Sequence, residues 1–338
     1  MSEQKNKKEP ILKMKDLRVL FSVHKKWLPA VDGVNLSIQQ GEIIGVVGES
    51  GSGKSVMSQS ILRLRDHDTK VQYEGEIIFE GEDLLKRPLD KMREIRGNRI
   101  SVIFQDPLNS LSPVHTIGKQ LSEILVLHKN VTKKEAQAKA VEMLKLTGIP
   151  NPEQYMKKYP FELSGGMQQR VMIAMALACE PKLLIADEPT TALDVTIQEQ
   201  ILYLIRELNE KLGMSVLFIT HDMGAVSQLC HSVKVMYPGQ VVEDARTEEL
   251  FAHPLHPYTE GLLACIPHLG VERGKELATI SGSVPPLSKI PSGCHFCTRC
   301  KEADERCCNQ NPPLVEVSEG HFVKCWKFAK DNCKEKGV

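Results

Sequence analysis

The junction between a run of five apolar residues and a glycine-rich stretch constrains the fold more than any other part of this chain. The apolar run 43–47 predicts a buried strand, and the apolar spacing between Ser55 and Leu64 predicts a helix. Strand, glycine-rich loop and helix in this order are the context of a phosphate-binding loop. The loop fits the pattern G-x-x-x-x-G-K-[ST], with Gly48, Glu49, Ser50, Gly51, Ser52, Gly53, Lys54 and Ser55.

The residue types of this loop suit phosphate binding. Glycines let backbone N–H groups approach phosphate oxygens without a clash with Cβ, and the following helix directs its positive N-terminus at the same point. Lys54 is expected to reach the β- and γ-phosphates, and the Ser55 hydroxyl is expected to ligate Mg²⁺. The alternative is a chance glycine-rich turn.

Two adjacent carboxylates follow a later apolar strand. Residues 183–186 predict this strand, which ends at Asp187, and Glu188 and Pro189 come next. A carboxylate at a strand end beside the phosphate loop can hold Mg²⁺ through water. The next carboxylate can polarise an attacking water. A solvated acidic turn is the alternative interpretation.

A second glycine-containing helix start precedes these carboxylates. Ser164 is a candidate N-cap, and Gly165 and Gly166 form the first turn of the helix. A helix N-terminus of this composition is a second anion-binding site. One nucleotide does not need two such sites from one chain, and an ordinary glycine-containing helix start is the alternative.

Taken in order, and closed by residues 220–222 (Thr-His-Asp), these elements resemble the ATP-binding-cassette (ABC) ATPases. The resemblance implies an α/β fold: a P-loop cassette with a RecA-like, mostly parallel sheet core, an antiparallel β subdomain and a helical subdomain. It also implies that ATP and Mg²⁺ bind between two such domains. Residues 163–166 would then contact the γ-phosphate of the nucleotide held by the opposite subunit.

The resemblance implies roles for five further positions. Gln105 corresponds to the glutamine near the transmembrane partner, where it would ligate Mg²⁺ with Ser55 and Asp187. His221 corresponds to the histidine that contacts the γ-phosphate, and Glu188 to the residue that activates water. The others are Asp194 at the dimer seam and Phe21 as the aromatic that stacks on adenine, with Trp27 as its rival.

Residues 1–250 are predicted to form the cassette, with the helical subdomain at about 110–170. In that subdomain Thr132 and Glu135 predict a capping box at a helix start, and Gly148 its end. Residues 251–338 are punctuated by prolines and predict a separate, small Cys-rich extension.

The C-terminal extension resembles one particular group within the ABC ATPases. Residues 256–259 (His-Pro-Tyr-Thr) and 291–294 (Pro-Ser-Gly-Cys) resemble the extension of oligopeptide/dipeptide importer ATPases, and residues 166–175 resemble their D-type subunit. This resemblance implies a second, F-type ATPase subunit, two permease subunits and, indirectly, a peptide-binding protein as partners. A nickel or metal-chelate importer of the same family is the near alternative. A soluble ABC protein that acts on nucleic acid or ribosomes is a more distant one.

Composition agrees with a protein on the cytoplasmic face of the cell membrane. Lys+Arg and Asp+Glu number 43 each, so no global basic field directs the chain to nucleic acid. The polar, lysine-rich start predicts no secretory signal. No apolar run approaches the roughly 18 residues needed to span a bilayer.

Seven of the ten cysteines lie between Cys294 and Cys333. Disulfides are rare in the cytosol, so a cluster of this kind indicates metal binding first. Cys294, Cys300, Cys307 and Cys325 fall where D-type relatives carry four cysteines, which implies a [4Fe–4S] cluster. The pattern departs from the family by adding Cys297, Cys308 and Cys333. Zinc on four thiolates and unligated thiols are the alternatives.

Overall fold

The structure, a computed structural model, describes residues 9–105, 110–191, 193–266 and 279–329. Its strands and α-helices, in chain order, are β1 Leu12–Val23, β2 Lys26–Ile38, β3 Ile43–Val47, α1 Lys54–Ile61, β4 Val71–Phe79, β5 Glu82–Asp83, β6 Ile100–Ile103, α2 Ile117–Lys129, α3 Lys133–Leu146, α4 Pro152–Tyr155, α5 Gly165–Leu177, β7 Leu183–Asp187, α6 Val195–Leu212, β8 Ser215–Thr220, α7 Met223–Leu229, β9 Ser232–Tyr237, β10 Gln240–Arg246, α8 Thr247–Ala252, α9 Pro257–Ala264, α10 Glu305–Asn309, β11 Val315–Ser318 and β12 His321–Val323. Short 3₁₀ helices cover Leu89–Glu94, Pro160–Glu162 and Leu287–Lys289.

The larger sheet has the strand order β11-β12-β10-β9-β3-β8-β7-β6. Strands β6 to β9 run parallel with β3, which confirms the predicted mostly parallel core. Every residue of β3, β7 and β8 is buried, as expected of strands covered on both faces. Val47 lies opposite Thr220, and Asp187 lies opposite Ile219. The carboxyl ends of these strands, and the loops that leave them, therefore meet at one edge.

The smaller sheet is antiparallel, with the order β2-β1-β4-β5. Strand β1 pairs with β2 on one side and with β4 on the other. Alternate residues of β1, beginning with Leu12 and Met14, point into a core that also includes Met57 and Ile61 of α1. This sheet therefore packs against the helix that follows the glycine-rich loop.

Helices α2, α3 and α5 form the helical subdomain around their own apolar core. The predicted capping box is present: the Thr132 hydroxyl accepts from the Glu135 backbone N–H, and the Glu135 side chain accepts from the Thr132 backbone. Helix α3 ends at Leu146, and Gly148 follows it with φ +74°. Both the start and the end of this helix are confirmed.

The C-terminal extension packs directly against the cassette. Strand β12 joins the large sheet through β10, where Val323 lies opposite Glu243. Tyr258 is fully buried, and its ring packs 4.7 Å from that of Tyr237 and 5.3 Å from that of Phe296. These rings come from distant parts of the chain, so apolar periodicity does not reveal the shared core.

A buried polar hub reinforces this attachment. Glu243 is fully buried and accepts hydrogen bonds from the backbone N–H groups of Leu255 and His256. It also lies 2.8 Å from Nε2 of the buried His321. Burial lowers the pKa of His256 to about 3, so this ring stays neutral and accepts from the Tyr258 N–H. The hub ties β10, α9 and β12 together.

Candidate active site

The glycine-rich loop is pressed between two strands, which explains its glycines. A Cβ on Gly48 would lie 2.2 Å from the Met236 carbonyl oxygen of β9, and one on Gly53 would lie 2.6 Å from that of Ala30 in β2. Both glycines have positive φ, which other residues rarely adopt. The Gly239 N–H also donates to the Ser52 carbonyl at 2.9 Å. Neighbouring backbone therefore shapes the loop from outside.

Lys54 points into the loop. Its Nζ donates to the Gly48 carbonyl at 2.6 Å and to the Glu49 carbonyl at 3.0 Å. Burial lowers the pKa of Lys54, and the carboxylates of Glu188, Asp187 and Glu49 oppose this shift. A cation held among backbone carbonyls at the mouth of α1 suits an anionic ligand.

Ser55 and Asp187 adjoin, as a Mg²⁺ site requires. The Ser55 hydroxyl donates to Oδ1 of Asp187 at 3.1 Å, and the Ser58 hydroxyl lies 3.5 Å from Oδ2. Asp187 is 5% exposed, and burial raises the pKa of its carboxyl group. A nearby divalent cation would favour the ionised form of this carboxylate, so the donor set fits Mg²⁺.

Glu188 is the meeting point of the other predicted catalytic side chains. The Gln105 amide donates to its Oε2 at 2.8 Å, and the Thr191 hydroxyl donates to the same oxygen at 3.0 Å. Nδ1 of His221 lies 3.4 Å from Oε1. Glu188 has a left-handed φ of +49°, an unusual conformation for this residue type. Gln105 thus contacts Glu188, whereas the family resemblance implied that it would ligate Mg²⁺ with Ser55 and Asp187.

The helix start at Ser164 is the second predicted phosphate-binding element. Ser164 is the N-cap of α5, but its side chain makes no capping hydrogen bond. A Cβ on Gly165 would meet nothing within 4 Å, whereas one on Gly166 would touch Ile197 of α6. Among the hydrogen bonds of the described residues, none joins residues 164–166 to the glycine-rich loop. Asp194, in turn, caps α6 by accepting from the Ile197 N–H at 3.0 Å.

The two adenine-stacking candidates lie on the β1–β2 hairpin. Phe21 is partly buried, packs against the core beneath the small sheet, and has the Arg65 guanidinium 5.6 Å from its ring centre. Trp27 is 40% exposed and pairs with Ser22 across the hairpin. Both the accessible ring of Trp27 and the partly covered ring of Phe21 therefore stay candidates for stacking on adenine.

Sequence reasoning missed four residues that contact the site. Ser58 lies one helical turn after Ser55, and this spacing was a signal that could have identified it. Thr191 follows Glu188 by three residues but has no motif of its own. Tyr258 and Arg299 reach Glu49 from the C-terminal extension, a contact without any local sequence signal.

The four cysteines assigned to a cluster line one cavity of about 270 Å³. Burial raises the pKa of the Cys294 thiol to about 11 and also raises the pKa of Cys300, Cys307 and Cys325. Cys297 lines the same cavity, and Cys333 lies outside the described residues. Within the described residues no group of three or more His, Cys, Asp or Glu is arranged to hold a metal ion. The thiols are gathered, but they do not form a ready-made ligand set.

Comparisons with known proteins identify the family. The family model described as "ABC transporter" matches residues 31–191, and the model described as "Oligopeptide/dipeptide transporter, C-terminal region" matches residues 242–307. The oligopeptide transport ATP-binding protein AppD of Bacillus subtilis is 49% identical over 96% of this chain and 99% of its own length. The chain belongs to the ATP-binding proteins of ABC transporters. It is therefore an ATPase that uses ATP with Mg²⁺.

Further relatives and solved structures agree. A probable peptide ABC transporter ATP-binding protein of Sinorhizobium fredii is 49% identical over 97% of this chain and 98% of its own length. The dimeric cassette MJ0796 bound to ADP and Pi is 30% identical, with a TM-score of 0.61 over 70% of this chain and 98% of that one. The cassette cbiO1 from Clostridium perfringens is 31% identical, with a TM-score of 0.62 over 73% of this chain and 92% of that one. These matches confirm the predicted cassette fold.

Proposed function

We propose that this chain is the ATP-hydrolysing subunit of a peptide importer. The observation that carries the enzymatic part is the junction of Gln105 and His221 on Glu188, next to Asp187 and its Ser55 contact. The cargo follows from the names of the relatives, which are oligopeptide, dipeptide and peptide transport proteins. The match to the oligopeptide/dipeptide C-terminal region supports the same cargo.

In this mechanism the residues of one cassette divide the work of hydrolysis. Lys54 and the N–H groups of the loop would hold the β- and γ-phosphates. Ser55 and Asp187 would hold Mg²⁺, which would supply charge neutralisation for the phosphate oxygens. Glu188 orients and polarises the attacking water. Gln105 and His221 contact Glu188 directly and so fix the position of its carboxylate. In this proposal His221 would also contact the γ-phosphate of bound ATP.

A second cassette completes the site in this proposal. The free Ser164 hydroxyl and the open space at Gly165 leave the start of α5 available to a ligand from outside the chain. Residues 164–166 would contact the γ-phosphate of the nucleotide on the partner, with Asp194 at the seam. The dimeric solved cassette supports this arrangement. We assign the partner to a distinct F-type subunit, from the D-type pattern of residues 166–175.

The helical subdomain offers a docking groove for a permease. A groove of about 800 Å³ lies between α2 and α3, with Val126 and Val141 among its apolar lining residues. Its charged side chains are Lys119, Lys133, Lys134, Lys157, Glu123 and Glu153. This excess of lysines favours a short helix with an acidic face from one permease subunit, and the partner cassette would take the helix of the other permease. The family resemblance places this docking near Gln105. Within the described part of the chain, no helix is long and apolar enough to cross a membrane.

The proposal places the protein on the cytoplasmic face of the cell membrane, attached through those permeases. An external peptide-binding protein would act on the transporter indirectly, and nucleic acid has no role. We divide the chain into a cassette, residues 1–250, with its helical subdomain at about 110–170, and an extension, residues 251–338.

Cargo is tested by uptake into vesicles that contain the assembled transporter. When ATP is supplied on the side of the membrane that carries the ATPase subunit, a labelled peptide is expected to accumulate in the vesicles, while a nickel chelate is not. Lys54→Ala in this chain is the control, because it removes the phosphate-binding cation and should stop uptake. Accumulation of the nickel chelate without peptide uptake would assign the chain to the metal-chelate branch instead.

The cysteine cavity is proposed to hold a metal centre. Four thiols around one small cavity could bind a metal as thiolates, and their protons would be released to solvent. We assign Cys294, Cys300, Cys307 and Cys325 to a [4Fe–4S] cluster, with zinc as the alternative metal. Packing many free thiols into one cytosolic segment would otherwise invite oxidation.

Metal analysis of anaerobically purified protein tests this assignment. We expect iron and sulfide bound to the wild-type chain, and their loss when the four assigned cysteines are changed to Ser. Cys265→Ser, outside the cavity, should keep the metal. Zinc without iron would make the cavity a zinc site, and the absence of any metal would contradict the proposal.

A further inference from the structure

Glu49, the first variable residue of the glycine-rich loop, is held by the C-terminal extension at two points. Its backbone N–H donates to the Tyr258 hydroxyl at 2.9 Å, across 209 positions of sequence. Its side-chain Oε1 accepts from the Arg299 guanidinium at 2.9 Å, across 250 positions. Main chain and side chain of the same loop residue are therefore both fixed by residues outside the cassette motifs.

The two residues that hold Glu49 are themselves immobilised. Tyr258 is fully buried and packs against the rings of Tyr237 and Phe296. The Arg299 side chain is 4% exposed. It also donates to the Ser281 carbonyl at 2.9 Å and lies 3.3 Å from the Tyr237 hydroxyl. Neither side chain can follow the loop if the loop moves, so both act as fixed reference points for it.

Attachment of the extension does not need the contact with Glu49. The buried hub at Glu243 and the pairing of β12 with β10 already fasten the extension to the core sheet. The Arg299–Glu49 pair adds a constraint on the loop. Arg299 also binds the Ser281 carbonyl of the extension, but its contact with Glu49 is the one that reaches the phosphate-binding loop.

Fixing Glu49 also fixes the residues that bind phosphate. The Glu49 carbonyl accepts from Nζ of Lys54, and the peptide units after Glu49 carry the N–H groups of the loop. Holding the N–H and carboxylate of Glu49 therefore sets the path of the backbone as it enters the loop. A loop that is ordered before the nucleotide arrives loses less conformational freedom on binding.

We propose that Arg299 and Tyr258 are positioning residues for the phosphate-binding loop, so that the C-terminal extension completes the ATP site of its own chain. This inference rests on the proposed nucleotide site. It assigns to the extension a function in ATP binding that is distinct from any metal in its cysteine cavity. The two residues touch the loop and not the nucleotide.

The test measures the Kd of a fluorescent ATP analogue with Mg²⁺ on the purified full-length chain. Arg299→Ala is expected to weaken binding roughly tenfold, because a hydrogen bond to a charged group is lost. Arg299→Lys should restore part of the affinity, because an ammonium keeps the charge without the planar fork. Tyr258→Phe should weaken binding by a smaller factor, because it removes one neutral hydrogen bond.

Val323→Ala is the matched control for damage to the extension. It removes buried apolar volume on β12, away from the loop, so it should lower the unfolding midpoint without changing the Kd. A Kd that rises in Val323→Ala as much as in Arg299→Ala would show that general loosening of the extension is the cause. That result would overturn the inference.

A double-mutant cycle shows whether Arg299 acts through Glu49. If it does, Arg299→Ala combined with Glu49→Ala should weaken binding no more than the larger of the two single changes. In the assembled transporter Arg299→Ala should raise the KM for ATP more than it lowers kcat. Additive effects, or an unchanged Kd in Arg299→Ala, would overturn the inference.

Lys54→Ala distinguishes failure of this inference from failure of the proposed nucleotide site. If Lys54→Ala also binds the analogue normally, the nucleotide site itself has been assigned to the wrong residues.

Discussion

Glu188→Gln is expected to abolish ATP turnover and to leave ATP binding intact. The substitution keeps the size of the side chain but removes the carboxylate that polarises water, and the loss of a positioned base costs on the order of 10²–10⁴ in rate. Lys54 and Ser55, which hold the nucleotide and Mg²⁺, are unchanged. Steady-state hydrolysis by the assembled transporter and the Kd for ATP are the two measurements.

The same variant should favour the closed pair of cassettes, because ATP persists between them. Glu210→Gln, an identical change at an exposed position of α6, is the control and should hydrolyse ATP at the wild-type rate. Near wild-type hydrolysis by Glu188→Gln would remove Glu188 from the catalytic role. The base would then have to be sought among the other polar groups at the carboxyl edge of the sheet.

Ser164→Arg is expected to block hydrolysis by the cassette pair while barely changing ATP affinity in the isolated chain. The start of α5 is open at Gly165, so the long cationic side chain has room to fill the position that the partner's γ-phosphate would take. Because this helix start serves the nucleotide of the other subunit, the chain's own loop should bind ATP as before.

Ser318→Arg, on exposed β11 in the extension, is the control for adding the same side chain elsewhere. It should leave hydrolysis by the pair unchanged. An equal loss of ATP affinity in the isolated Ser164→Arg chain would mean that Ser164 serves its own nucleotide. The proposed exchange between subunits would then be wrong.

Local patterns were enough to predict the centre of the fold. The strand β3, the glycine-rich loop and α1 occupy one continuous stretch, so their order alone fixes the geometry around Lys54. Asp187 and Glu188 were found for a similar reason, since an apolar strand places its terminal carboxylate at the edge where parallel neighbours also end. The capping box of α3 is likewise a property of four consecutive residues.

Local sequence patterns could not predict the contacts between distant segments of the chain. The pairing of Gln105 with Glu188 spans 83 positions, and the family resemblance instead placed Gln105 on Mg²⁺ with Ser55 and Asp187. Arg299 and Glu49 are 250 positions apart, and a lone arginine in a proline-rich segment has no periodicity that points to a loop. The buried ring cluster of Tyr237, Tyr258 and Phe296 is also a tertiary feature, which is why the extension was expected to stand apart.

The cysteine site was predicted only in part from the sequence. The family resemblance assigned Cys294, Cys300, Cys307 and Cys325 to one site, and these residues line one cavity together with Cys297. Spacing does not fix the directions of four thiols on loops and a short helix, and the described residues hold no preformed metal site. The metal assignment therefore depends on chemical analysis.

The central claim is that this site hydrolyses ATP to drive peptide import, and peptide-dependent hydrolysis tests it most directly. The measurement is the steady-state rate of ATP hydrolysis by the transporter in lipid vesicles, with and without peptide-loaded binding protein. Loaded binding protein is expected to stimulate hydrolysis, and Glu188→Gln in this chain is expected to remove the stimulated activity. An ATP hydrolysis rate that does not respond to the peptide, or that persists in Glu188→Gln, would contradict the central claim.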